Sequence, residues 1–190
     1  MANFWEGISV QETNKKEMYS LAKYVLFTLI ITFIFRQFLF VPTLVKGESM
    51  LPTFENNNGI IISKTTDIQR FDLIVFNAPD EDKTYIKRVI GLPGDYVIMQ
   101  DDVLYINGQA YQENYLNRMI DGRIVNKVNY DFSLEEITGK SYVPEGYLFV
   151  LGDNRLNSKD SRKFGFISED SIVGEVKARF YPLNEMAILK

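Results

Sequence analysis

The chain has 190 residues, with 21 Lys and Arg against 25 Asp and Glu, a formal net charge of −4, and neither histidine nor cysteine. The two missing residue types exclude a Ser-His-Asp triad, a cysteine nucleophile, disulfides and any imidazole or thiolate metal site, leaving only carboxylate sites for hard cations. The acidic balance, with no basic block, argues against a nucleic-acid partner, while 46% hydrophobic and 14% aromatic residues fit a packed, β-rich domain.

Residues 1–18 are polar and mixed in charge, and read as an N-terminal tail. From Leu21 to Val41 the chain is apolar except at Lys23, Thr28, Thr32, Arg36 and Gln37. The uncharged stretch Tyr24–Phe35 covers twelve residues, short of the ~20 a helix needs to span a bilayer. Lys23 and Arg36 lie towards the two ends, where long side chains can snorkel to opposite interfaces. Tyr24 and the phenylalanines of the far end suit interfacial depth. This pattern predicts one transmembrane signal-anchor helix over 19–41. A buried helix of this kind would need a large protein around it, and no A-x-A-like cleavage site follows the run. Lys15, Lys16 and Lys23 flank one side, against Lys46 and Arg36 on the other. The positive-inside rule then puts the N-terminus inside and residues 42–190 outside the cytoplasm.

Beyond residue 41 the signals are those of strands. "GIIISK", "FDLIVFNAP" and "TYIKRVIGLPGD" are short apolar runs closed by turn residues. "DYVIMQDDVLYINGQAY" holds two strands around Gln100-Asp101-Asp102, followed by an Asn107-Gly108 hairpin turn. "GYLFVLGDN" and "GEVKARFYP" supply two more, and Asn114–Ser141 reads as an irregular polar excursion. The expectation is a mostly β protein: an antiparallel, coiled or barrel-like sheet domain over 42–190 behind one transmembrane helix.

Four partial motifs fail. Ser20-Leu21-Ala22-Lys23 reads S-x-x-K but lies at the membrane edge without partner motifs. Gly139-Lys140-Ser141 would need a glycine at Leu134 to be a P-loop, "GLPGD" does not complete a dinucleotide fingerprint, and "LGDNRLNSKDSR" lacks EF-hand spacing. What remains is Ser49 in "VKGESMLPTF". Without imidazole, its base must be a carboxylate or a lysine whose pKa burial has pulled far below ~10.4. Lys87 in "YIKRVI" stands in such company. Along a strand it shares a face with Tyr85 and Val89, while Ile86, Arg88 and Ile90 share the other. On the residues alone, a solvent-bonded loop serine and an exposed strand lysine remain open alternatives.

The ordered set "GESMLPT", "YIKRVIGLPGD" and "GDNRLNSKDSR" behind an apolar run strongly resembles bacterial type I signal peptidases of the Gram-positive kind, over nearly the whole chain. The resemblance implies a Ser/Lys-dyad membrane serine endopeptidase that removes signal peptides from exported preproteins. It implies no cofactor or metal; secretory preproteins and the lipid bilayer are the partners. It makes Ser49 the nucleophile, Lys87 the general base and Ser158 the residue that orients the lysine amine. Asp160 and Arg162 become a supporting ion pair, with Asp153 and Arg155 from the same motif. Extended substrate would be gripped by strands at Pro42–Val45 and Asp80–Ile86 through β-augmentation. Small residues at the first and third positions before the scissile bond would fill shallow pockets, for which Val45, Met50, Phe54, Tyr85 and Ile86 are the candidate walls, with core filler as the alternative for each. Gly47 stands where the Gram-negative pattern has a serine for the oxyanion hole. The Ser49 N–H then remains as one donor, the second being another backbone N–H or a water. Two other functions compete: a Ser/Lys self-cleaving repressor, which would need a DNA-binding module in place of residues 1–40, and a catalytically dead, membrane-anchored peptide-binding β-domain.

Overall fold

The computed structural model describes residues 17–33, 40–64, 67–116, 119–120, 123–124 and 128–189. Two units separate at Phe40 and Val41. In the first, residues 17–33 form helix α1, its described side chains exposed all round, as its apolar sequence would leave them without a surrounding core. Among the described residues no helix is long and apolar enough to cross a membrane. Of the rest of the expected span, residues 34–39 lie outside the described residues, as does the tail over 1–16, while Phe40 and Val41 already belong to a strand rather than to the helix.

The second unit is mostly β. Its main sheet runs β1 (Phe40–Leu44), β2 (Gly59–Ser63), β13 (Ile172–Tyr181), β3 (Leu73–Asn77), β4 (Thr84–Gly91), β11 (Tyr147–Leu151) and β12 (Ile167–Ser168), with β14 (Ala187–Ile188) also on β13. The pairings from β2 to β12 are antiparallel. Register shifts along β13 and between β11 and β4 mark bulges, which curl the sheet. A second sheet is built from β5 (Val97–Gln100), β6 (Val103–Ile106), β7 (Gln109–Tyr111) and β10 (Phe132–Ser133), and β8 (Met119–Ile120) pairs with β9 (Arg123–Ile124).

Turn chemistry explains the meander. Asp101 and Asp102 take positive φ at 50° and 65°, and Asn107 and Gly108 at 53° and 79°. These residue types tolerate the left-handed region, and a two-residue hairpin of matching twist requires it twice.

The central strands β3 and β11 are covered on both faces, so they read as continuous apolar runs rather than alternating ones, whereas β1 at the edge alternates exposed and half-buried residues. In β3, Leu73 and Val75 enter one core cluster with Val45, Met50, Phe54, Ile60 and Ile62, while Ile74 and Phe76 enter another with Val89, Leu148 and Val150. A third cluster, including Ile90, Leu104, Ile106, Leu134 and Phe149, seats the second sheet.

The segment expected to be irregular carries more order than its polarity suggests. Besides β8, β9 and β10 it holds helix α2 (Leu134–Thr138), started by a capping box in which Ser133 and Glu136 satisfy each other's backbone N–H. A short helix α3 (Ser161–Phe164) is capped by Asp160.

Candidate active site

Ser49 stands in the turn segment after β1. Gly47 holds φ at +88°, a left-handed value that favours glycine, and its N–H donates to Asn56 Oδ1 at 3.0 Å. The Leu51 N–H donates to Glu48 O at 3.1 Å and the Phe54 N–H to Met50 O at 2.9 Å. The Ser49 carbonyl accepts from the Asn154 N–H at 3.0 Å, so the serine is tied by its main chain to the loop that follows β11.

Lys87 is delivered by β4. Its register partner on β3 is Ile74, and that of Tyr85 is Phe76, which puts lysine on an apolar face as strand alternation requires. Lys87 is 3% exposed. Its Nζ lies 2.7 Å from Ser49 Oγ and 2.9 Å from the Ile86 carbonyl, with the Tyr85 ring 5.3 Å away. Burial pulls its pKa down to about 8, against the opposing attraction of the Asp160 and Asp153 carboxylates.

The three-residue stretch after β11 packs close to the serine. An added Cβ at Gly152 would come within 2.5 Å of Ser49 O and 2.2 Å of Ser158 Oγ. Ser158 is buried; its hydroxyl makes no hydrogen bond of good geometry among the described residues, and its polar influence is on the Asp160 carboxylate, whose pKa it helps to lower. The hydrogen bonds of the Lys87 amine run to Ser49 and to the Ile86 carbonyl, and none runs to Ser158.

Asp160 is fully buried. Both its oxygens accept from Arg162, Nε and Nη2, each at 2.8 Å, and Oδ2 also accepts from the Gly152 N–H at 3.0 Å. Burial alone would raise its pKa, but Arg162 and these donors hold it below the ordinary value.

Asp153 and Arg155, neighbours in one motif, take different partners. Asp153 receives a two-pronged bond from Arg88, Nε to Oδ1 at 2.9 Å and Nη2 to Oδ2 at 2.6 Å, and a third from Thr53 Oγ1 at 2.5 Å. Arg155 turns the other way, to both carboxylate oxygens of Glu113 and to Asn129 Oδ1 at 2.7 Å. Arg88, Thr53, Gly152, Glu113 and Asn129 were not singled out as site residues from the sequence. Arg88 had a signal, its place on the strand face opposite Lys87. Glu113 had none, because its partner is 42 residues away.

A cleft of about 570 Å³ opens beside Ser49, lined along one wall by residues 43–47 and along the other by 83–87, with Met50, Val75 and Lys159. Of the expected pocket residues Val45, Met50, Tyr85 and Ile86 line it. Phe54 does not. It is fully buried in the cluster with Val45 and Met50, where the backbone bond from its N–H to Met50 O turns it into the core. At the rim Lys159 binds Asp80 at 2.7 Å and Glu81 at 2.6 Å, and Lys83 binds Glu81 at 2.7 Å. These contacts keep the Glu81 pKa down at about 2.

Residues 18–181 match the family described as signal peptidase, peptidase S26. A signal peptidase I of Bacillus caldolyticus is 47% identical over 160 residues, covering 80% of this chain and 85% of that protein. Signal peptidase IB of Staphylococcus aureus is 37% identical over 179 residues, covering 90% and 93%. The crystal structure of a signal peptidase I from Enterococcus faecalis V583 aligns with a TM-score of 0.52 at 44% identity, over 58% of this chain and 97% of that one. With a mostly antiparallel β-fold and a family match from the first helix to the end of β13, the chain belongs to the signal peptidase family, peptidase S26, as a serine peptidase of the type I signal peptidase class.

Proposed function

We propose that the chain is a membrane-anchored endopeptidase that cuts signal peptides from exported preproteins with Ser49 as nucleophile and neutral Lys87 as general base. The observation that carries this reading is the 2.7 Å approach of a buried lysine amine to Ser49 Oγ, in a chain without histidine or cysteine. As an ammonium, Nζ donates to Oγ. Once deprotonated, it accepts the Oγ proton at the same separation.

Ser49 Oγ then bonds to the scissile carbonyl carbon, and the ammonium returns its proton to the departing amine as the C–N bond breaks. Water, deprotonated by Lys87, attacks the ester and releases the signal peptide's carboxylate with Ser49 restored. The Ser49 N–H is one donor for the oxyanion. The Gly47 N–H, engaged with Asn56, would have to leave that partner to act as the second.

Extended substrate fits between two open edges. β1 ends the main sheet. Residues 84–87 of β4 pair with β3 on one side, while the β11 pairing begins at Arg88. A preprotein strand in this cleft would exchange main-chain hydrogen bonds with both walls. Asp160, Arg162, Asp153 and Arg155 support the dyad from behind, Ser158 would orient the amine only by turning its hydroxyl to Lys87 Nζ, and Val45, Met50, Tyr85 and Ile86 shape the pockets. The N-terminal segment anchors the enzyme with its catalytic unit on the outer face of the cytoplasmic membrane.

The test is processing of a purified precursor, with sequencing of the new N-terminus. The parent should cut at one site after a small residue, and folded Ser49→Ala and Lys87→Ala variants should not cut. Cleavage by folded Ser49→Ala at the parental rate would refute the dyad.

A further inference from the structure

We propose that Glu113 and Tyr115 are positioning residues for the peptidase reaction, bracing from behind both the loop that holds Ser49 and the strand that carries Lys87; this rests on the Ser49–Lys87 reading. Neither residue lines the cleft. Both lie in the segment after β7, whose sequence is polar and without a recognisable motif.

The bracing has two arms. In the first, Glu113 binds both terminal nitrogens of Arg155, whose side chain is 1% exposed against 6% for Glu113. Arg155 Nε in turn donates to the Gly152 carbonyl at 3.0 Å. Gly152 is the residue packed on the Ser49 carbonyl, and the same loop donates to that carbonyl through the Asn154 N–H.

In the second arm, the Tyr115 ring lies 3.9 Å from the Arg88 guanidinium, within cation–π reach. Arg88 follows Lys87 on β4 and is clamped on Asp153. The arms meet, because Tyr115 Oη donates to Glu113 Oε1 at 2.6 Å and accepts from Arg155 Nη2 at 3.3 Å. Asn129 closes the network from the far side, accepting from Arg155 and donating through Nδ2 to Asp102 Oδ1 at 2.9 Å.

A separation of 2.7 Å between nucleophile and base is set by where two backbone segments sit, and small misplacements there are costly in rate. One carboxylate and one phenol reach both segments. Buried bonds of this kind, fully partnered, fix geometry better than exposed ones. Loosening them should therefore lower the rate of the chemical step and leave substrate binding along the cleft walls, which the two residues do not line, unchanged.

The experiment measures kcat and KM on a precursor with the full-length chain in detergent micelles, well below each variant's melting temperature. Tyr115→Phe removes one oxygen and keeps the ring; Glu113→Gln keeps the shape and removes the charge. Expected are kcat losses of about threefold and about tenfold, with KM within about twofold of the parent. The double variant should lose no more than Glu113→Gln alone, because both act along one path. Ser49→Ala is run alongside. Parental cleavage by Ser49→Ala removes the dyad reading and this assignment together. Silence of Ser49→Ala with a parental kcat in folded Tyr115→Phe overturns the positioning role alone, whether or not Glu113→Gln folds. A loss confined to KM, or a lowered melting temperature with parental kcat, overturns it as well.

Discussion

Lys87 is held where a charged amine is unfavourable, and the consequence is measurable apart from catalysis. Burial brings its folded-state pKa to about 8, while an unfolded chain titrates near ~10.4. Between those values the unfolded state binds more protons, so stability rises with pH across that window. Below pH 8 the buried amine opposes folding by on the order of 3 kcal/mol. A Lys87→Met variant, close in volume and without charge, should therefore melt above the parent at pH 7, and the gap should narrow towards pH 10. Equal melting temperatures at pH 7 would show that the amine is well solvated. The same pKa leaves about a tenth of the enzyme with a neutral amine at pH 7, against about one part in 2,500 for an unperturbed lysine. The pH–rate profile should accordingly show an acid limb near pH 8. Lys87→Arg should fold without activity, since a guanidinium cannot accept the proton; an active, folded Lys87→Arg enzyme would count against the general-base role. Gly152 is the other residue with a sharp expectation. A methyl group there meets the Ser49 carbonyl, which is backbone and cannot swing aside. Gly152→Ala should lower activity by about a hundredfold and stability by ~1–3 kcal/mol. A crystal structure with the Ser49 main chain unmoved, alongside parental kcat, would contradict this.

At the scale of elements, β4 organises the site because its alternation sends Lys87 to Ser49 and Arg88 to Asp153. Helix α3 contributes through its cap: Asp160 caps the helix, pairs with Arg162 and accepts from the Gly152 N–H. Asp160→Ala would leave Arg162 without its partner and the loop N–H unsatisfied, at ~3–5 kcal/mol for so buried a group, which a denaturant melt would register. A midpoint equal to the parent's would mean the pair contributes little. The legibility of these elements in the sequence follows from how local their causes are. Strands bounded by Gly, Pro and Asn turns were readable, as was the Lys87 face, because both depend on neighbours within a few residues. The capping box at Ser133 and Glu136 is equally local, an S-x-x-E pattern that polarity alone does not reveal. For Phe54 the core-filler alternative is the one the structure shows, because nearness in sequence to Ser49 says nothing about which way the turn after Met50 sends the ring. The Glu113–Arg155 pair depends on the packing of a second sheet against the first. No local pattern encodes it, so it was not legible at all.

For the whole molecule, the proposed activity makes a demand on topology that the chain itself can be asked to meet. A preprotein's cleavage site becomes available only after its N-terminal segment has entered the membrane and the following chain has crossed it. A peptidase unit left in the cytoplasm would face the wrong end of that substrate. The compact unit beginning at Val41 carries Ser49, Lys87 and the cleft, so the proposed activity requires it on the outer face. The charge pattern agrees in sign, with Lys15, Lys16 and Lys23 before the apolar core of the expected span and Arg36 and Lys46 after it. Lysines and arginines near a span are retained preferentially on the cytoplasmic side, and a difference this small sets orientation weakly, which makes it testable by altering few residues. Protease added to intact spheroplasts should digest the unit from Val41 onward and leave a cytoplasmic reporter untouched. Replacing Lys15 and Lys16 by Gln should lower the fraction digested, because only Lys23 then remains on that flank. Full protection of the unit until the membrane is broken would reverse the orientation, and the proposed reaction would then lack access to its substrate.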